Sequence, residues 1–278
     1  MTYGRNRKRC AIGIYPMEHI TLPITYTAKK PSAIKFEPLE GGKEMTATQI
    51  LSAHPTGRDY GHLLEGKEKY PVFIDATGEV LSMPPIINSE KTGRVTEKTT
   101  EVFVECSGFA WHVVHGALCM IVTAMADMGA QIEEMEVAYP EKLGGPVKSP
   151  VLAPYEVPLQ SSYAQKYLGY ELDEKEIIAL LKKMNIDARK GKKGEIVALT
   201  PPYRVDILHP IDLIEDIAIA YGMDNIQSIK PHVATIARQD DEEALCNKLR
   251  EIIAGMGLVE IKNYNLTSKE EQSIKIGL

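Results

Sequence analysis

Cysteine is scarce in this sequence. Its 278 residues include four, Cys10, Cys106, Cys119 and Cys246, too far apart to form a Cys-x-x-Cys pair. That spacing excludes a zinc ribbon and a redox dithiol. Cys106 and Cys119 sit in apolar runs and are expected to be small buried hydrophobes, which suits a reducing, cytoplasmic compartment. Long apolar runs are missing too. The longest, 117–122, falls far short of the roughly 20 residues that span a bilayer, so no membrane partner is expected. The N-terminus is polar and basic, without the apolar stretch of a secretory signal. Positive charge is also in short supply: 32 Lys and Arg against 38 Asp and Glu leave a net charge of −6. A surface that grips nucleic acid everywhere is basic. DNA is therefore not an expected partner, and any RNA contact must come from local patches. There is no internal repeat, no Gly-rich phosphate loop and no Ser-His-Asp or Cys-His arrangement.

What is present divides into three pieces. The first, 1–145, opens with the basic tract Arg5-Asn6-Arg7-Lys8-Arg9 and an apolar strand over 10–14. A short helix is predicted over 45–52. Strands follow over 70–74 and 79–83, joined by Asp75-Ala76-Thr77-Gly78, which is good hairpin chemistry. Alternation predicts a strand over 101–105, with Phe103 and Glu105 on one face. An apolar, mostly buried helix over 111–128 and a strand over 133–139 complete the piece. Strands and helices alternate, so this piece is α/β or α+β within a chain that is α+β and multidomain as a whole. Five prolines between Pro140 and Pro158, with Gly144-Gly145 among them, mark a junction. The second piece, 146–228, contains a helix over 159–168 and another over 174–184, whose Asp173 and Glu176 form a capping box. It continues with a hairpin over 187–199 that turns at Gly191-Lys192-Lys193-Gly194, and a helix over 213–221 stopped by Gly222. Its order of elements is winged-helix-like. The third piece, 229–278, offers an amphipathic helix over 242–256 and a strand over 258–266, too little to bury a core.

Two polar constellations carry the chemistry. In the first, Leu81-Ser82-Met83-Pro84-Pro85-Ile86-Ile87-Asn88-Ser89-Glu90, two prolines impose extended backbone and then bring three polar groups together. Downstream, Phe103-Val104-Glu105-Cys106-Ser107-Gly108 puts a carboxylate on a core-facing position, which is costly unless it is partnered. In the second, Asp206 precedes Asp212, Glu215 and Asp216. Asp212 as N-cap with Glu215 three residues on is a capping box. Four carboxylates so close also suit a hard cation such as Mg²⁺. Basic residues at 5–9, and Arg189, Lys190, Lys192 and Lys193 at the hairpin tip, are candidate phosphate contacts.

The segments 8–14, 34–39, 81–90 and 103–108, with Pro-Pro-Ile-Ile-Asn at their centre, resemble the editing domain of the phenylalanine–tRNA ligase beta subunit in its archaeal and eukaryotic form. Pro202-Tyr203-Arg204-Val205-Asp206 and Tyr221-Gly222 match the same family further on. The resemblance implies a proofreading site that hydrolyses tyrosine wrongly attached to the phenylalanine tRNA. It implies Phe73, Ser82, Glu105 and Ser107 as pocket residues, with Asn88 and Glu90 in the motif. Glu90 or Glu105 would accept the tyrosine hydroxyl proton, and Ser82 and Asn88 would hold the ester and a water. The family often has a smaller aliphatic residue where Phe73 stands, and Asp and Thr where Glu105 and Ser107 stand. The resemblance further implies a Mg²⁺ site at Asp206, Asp212, Glu215 and Asp216 shared with an alpha subunit, ATP chemistry on that subunit, an α2β2 assembly that binds tRNA(Phe), and a class II synthetase-like domain beginning in 229–278. A non-catalytic scaffold that docks the alpha subunit and tRNA is the alternative.

Overall fold

The computed structural model describes residues 3–230, 232–234, 236–275 and 277. They fall into two units, Met1–Ile226 and Gln227–Leu278.

In the first unit, β1 (Cys10–Pro16) is followed by β2 (Thr25–Lys29), β3 (Lys35–Phe36) and β4 (Met45–Thr46). Helices α1 (Ala47–Ala53) and α2 (Pro55–Tyr60) lead to β5 (Tyr70–Ile74), β6 (Val80–Met83) and β7 (Ile87–Asn88). Next come the single turn α3 (Glu90–Gly93), β8 (Val102–Gly108), the long helix α4 (Trp111–Asp127), β9 (Met135–Val137) and β10 (Val147–Ser149). β2, β5, β6 and β7 make an antiparallel four-stranded sheet in that order, and β1 pairs with β8 in a separate antiparallel ladder. Ile34, Phe36, Ile50, Val72, Met83 and Ile86 form the apolar core beside the four-stranded sheet. Thr46 caps α1 in a box with Gln49, so the helix starts two residues later than the pattern suggests. The β5–β6 turn is fastened by Asp75, whose carboxylate accepts from the backbone N–H groups of Thr21, Thr77 and Glu79 and from the Thr77 hydroxyl.

Helix α4 is less buried than its composition implies. Only Val113, Gly116, Ala117 and Cys119 are buried along it, and Trp111 is half exposed. The helix packs on the β1–β8 ladder through one stripe, and one stripe is all that a two-stranded ladder can cover.

Beyond the proline-rich stretch lie β11 (Tyr155–Gln160), α5 (Ser161–Leu168), α6 (Glu174–Lys183), β12 (Asp187–Lys190), β13 (Glu195–Thr200) and α7 (Pro210–Tyr221). The predicted helix over 159–168 is a strand up to Gln160 and a helix only afterwards. Pro158 obscures that strand in the sequence. It is tolerated because β11 is an edge, bonded only to β13 in the order β11-β13-β12, where a missing N–H disrupts no second ladder. Asp173 and Glu176 form the predicted box at α6. Leu159, Ile177, Leu181, Ile186, Ile196, Leu213 and Ile217 are buried together. Asp212 is not the N-cap of α7. Pro210 begins the helix, so Asp212 stands at its third position, and its carboxylate accepts from the N–H groups of Leu208 and His209 at 2.8 and 2.7 Å.

The second unit holds α8 (Asp241–Gly255), capped by the Asp240 side chain. Leu245, Leu249, Ile252, Ile253 and Met256 make the predicted stripe and are all exposed. The strand predicted over 258–266 is irregular chain, since a strand needs a partner and the described residues of this unit contain none.

Candidate functional site

A polar cluster forms where the β1–β8 ladder meets the four-stranded sheet. Register places Phe73 opposite Ser82, and Ser82 opposite Asn88, so the three side chains share one face across β5, β6 and β7. Pro84-Pro85 makes the return between β6 and β7, closed by the Ile86 N–H on the Met83 carbonyl at 2.8 Å. Arg7 fastens this return. Its guanidinium donates to the carbonyls of Pro85 (3.1 Å) and Ile86 and lies 4.1 Å over the Tyr60 ring. Arg7 is thus engaged within the fold and is not a free phosphate contact.

From the other side, β8 supplies Glu105 and β1 supplies Tyr15. Glu105 pairs with Gly13, and the missing side chain at Gly13 lets the Tyr15 phenol lean across. A Cβ there would lie 2.3 Å from the phenol oxygen and 2.7 Å from Glu105 Oε1. The Tyr15 hydroxyl sits 2.8 Å from Ser82 Oγ and 3.4 Å from both Asn88 Oδ1 and Glu105 Oε1. Tyr15 is fully buried, Ser82 is 1% exposed and Glu105 is 7% exposed. Glu105 Oε2 has no hydrogen-bond partner among the described residues. Burial pushes the Glu105 carboxyl up to about 8, with the neighbouring Cys10 adding to the rise and hydrogen bonds from Tyr15 and Ser107 opposing it. Burial and the Glu105 charge likewise push the Tyr15 phenol far above its ordinary value. At the edge, the half-exposed Tyr26 ring stacks on Phe73 at 4.4 Å, and its phenol is raised by burial and by Glu105.

Phe73, Ser82, Asn88, Glu105 and Ser107 are therefore brought together. Glu90 is not part of the group. Its carboxylate is held by the Arg94 guanidinium and accepts from the Glu40 N–H at 2.9 Å, and the Arg94 bond keeps it below the usual carboxylate range. Such an ionised, paired group is a poor proton acceptor. Sequence reasoning missed Tyr15, Tyr26 and Gly13. The glycine was the available signal, because a glycine inside a strand marks a close approach.

The acidic set is arranged differently from what a hard cation needs. Asp206 and Asp216 share Arg204, whose Nη2 lies 2.7 Å from one and 2.8 Å from the other. Asp212 is spent on backbone N–H groups, and Glu215 is exposed. Among the described residues no three His, Cys, Asp or Glu side chains are grouped to hold a metal. A guanidinium already stands between two of the four carboxylates, so these residues in this arrangement do not fit Mg²⁺. At the hairpin tip, Arg189 and Lys190 are paired with Glu156 and Glu174. No helix among the described residues is long and apolar enough to cross a membrane.

Comparison with known proteins agrees with this architecture. Residues 157–223 match the family model of the tRNA synthetase B5 domain. The chain is 41% identical to the phenylalanine–tRNA ligase beta subunit of Pyrococcus furiosus, over 100% of this chain and 49% of that protein. It is 36% identical to the one from Methanothrix thermoacetophila, over 96% of this chain and 49% of that protein. A crystal structure of an N-terminal fragment of the phenylalanyl-tRNA synthetase beta subunit from Pyrococcus horikoshii superposes with a TM-score of 0.75 at 42% identity, covering 80% of this chain and 62% of that one. The chain spans about half the length of the curated relatives it matches. Aligned with them essentially from end to end, it belongs to the family of phenylalanine–tRNA ligase beta subunits.

Proposed function

We propose that the cluster around Glu105 is a proofreading site that hydrolyses tyrosine esterified to the phenylalanine tRNA. The observation that carries this reading is Glu105 Oε2, a buried carboxyl oxygen without a partner. An unmatched buried polar atom costs about 1–3 kcal/mol. A ligand that brings a hydroxyl to it recovers that cost, and one that brings an apolar ring edge does not. Tyrosine and phenylalanine differ by that one group, which an apolar synthetic pocket cannot strongly reject. Ser82 and Asn88 lie beside Glu105 to orient the ester carbonyl and a water. Water adds to the carbonyl carbon, the bond to the ribose oxygen breaks, and the water's proton goes to that oxygen, leaving free tyrosine and a tRNA hydroxyl. The acceleration comes from orientation and fixed dipoles, with no covalent intermediate.

In the whole protein this chain is proposed to act beside an alpha subunit in an α2β2 assembly in the cytoplasm. That subunit would carry the ATP chemistry and help to bind tRNA(Phe). The proposed layout keeps an editing domain over 1–145, a winged-helix-like unit over 146–228 and the start of a class II synthetase-like domain in 229–278. The scaffold reading, docking without catalysis, is favoured by one observation: Phe73, which the resemblance makes a pocket residue, is already stacked on the Tyr26 ring with centroids 4.4 Å apart.

Deacylation of tyrosyl- and phenylalanyl-tRNA, both on tRNA(Phe), by the full assembly separates the two readings. Hydrolysis of the tyrosyl ester alone, lost in Glu105→Ala and Ser82→Ala, supports proofreading. Equal rates in wild type and both variants would remove it.

A further inference from the structure

Tyr15 has one hydroxyl proton and three oxygen neighbours. It donates toward Glu105 Oε1 at 3.4 Å, which opposes the rise of the carboxyl and adds to the rise of the phenol. Asn88 Oδ1 only accepts, so the Ser82 hydroxyl, 2.8 Å away, is the donor available to the phenol oxygen. The phenol cannot withdraw, because Tyr15 is fully buried and its ring packs against Phe103 at a centroid distance of 6.1 Å.

We propose that Tyr15 is a positioning residue that holds Glu105 Oε1 against its own hydroxyl and leaves the buried Oε2 as a lone acceptor, so that the Tyr15–Glu105 pair selects a ligand whose side chain donates a hydroxyl proton. This rests on the proofreading reading and specifies its selectivity. The pair rewards a phenol and offers nothing to a phenyl ring. Gly13 belongs to the same device, since any larger residue would drive the phenol and the carboxyl apart.

The test is Tyr15→Phe in the full-length subunit assembled with its alpha partner, with two readouts. The first is the infrared carbonyl band of the protonated Glu105 carboxyl, identified by its loss in Glu105→Gln. The second is the ratio of tyrosyl- to phenylalanyl-tRNA hydrolysis. Tyr15→Phe is expected to shift the band and to lower the ratio on the order of tenfold, about the 1.4 kcal/mol of one hydrogen bond. The tyrosyl kcat should fall while KM for tRNA is held. An unchanged band overturns the proposal whatever the activity, and so does a shifted band with an unchanged ratio. A wild-type assembly that hydrolyses neither ester removes the proofreading reading instead, and the band then decides the Tyr15–Glu105 coupling alone. Retention of the Trp111 fluorescence and of the unfolding midpoint to within a small shift shows that the variant is folded.

Discussion

Replacing Glu105 by glutamine is expected to abolish a stability slope that runs against the usual direction for a carboxylate. Burial raises the Glu105 carboxyl from 4.5 to about 8, so the folded chain holds this proton more tightly than the unfolded chain does. The contribution is fully present below pH 4.5 and is lost as pH rises from there through about 8. At about 1.4 kcal/mol per pH unit, that interval corresponds to roughly 5 kcal/mol, an upper value because water drawn in on ionisation relieves part of it. Glu105→Gln carries no charge at any pH and keeps the shape of the neutral acid. The two proteins should be close in stability near pH 5 and diverge by at least about 2 kcal/mol by pH 8, with the variant the more stable. Urea unfolding at each pH, read from the single tryptophan, Trp111, reports the relevant region, because α4 packs on the ladder that carries Glu105. Asp75, Glu90 and Asp206 are held below their ordinary values, so their effects fall in acid and cancel in the comparison. Parallel profiles from pH 5 to 8 would refute the idea that Glu105 is desolvated.

The Arg204 pairings should rank by burial. The Asp216 side chain is 8% exposed and that of Asp206 61%, so Arg204→Ala should cost on the order of 2–3 kcal/mol by stranding Asp216, whereas Asp206→Ala should cost under about 1 kcal/mol; urea midpoints decide, and equal costs would contradict the ranking. Asp75 accepts four hydrogen bonds in the β5–β6 turn. Although burial pushes its carboxyl up, those bonds prevail and hold it below 3.8, so its contribution is present above that pH and is lost as pH falls further. Asp75→Ala should lower stability by about 1–3 kcal/mol at pH 7 and by much less at pH 2, as thermal unfolding at the two pH values will show.

Local chemistry made most elements readable. The capping box at Asp173 and Glu176, the Asp75 turn and the inward Glu105 all follow from spacing, because their causes lie within a few residues. The misreadings have non-local causes. Pro158 reads as a breaker unless one knows that its strand is an edge, and 258–266 reads as a strand unless one knows that it lacks a neighbour. Similarly, Asp206 and Asp216 resemble half of a cation site until the fold puts Arg204 between them. Tyr15 was invisible as a site residue because its partners are 67, 73 and 90 positions away. Proline chemistry and strand register placed Ser82 and Asn88 together, but only the pairing of β1 with β8 brings Glu105 to them.

That pairing also dictates when the pocket can exist. Within the four-stranded sheet β5, β6 and β7 follow one another as hairpins, so their half of the cluster, Phe73, Ser82 and Asn88, can assemble soon after these strands are made. Tyr15 is synthesised early and then has nothing to hold until β8 arrives, since Cys10 faces Gly108 across the ladder. Closing so long a loop is slow relative to local hairpin formation. During translation the nascent chain therefore passes through a stage with half of its pocket built and an unpaired β1 edge open to any other strand. A chain cut short before residue 102 would hold Phe73, Ser82 and Asn88 without Glu105.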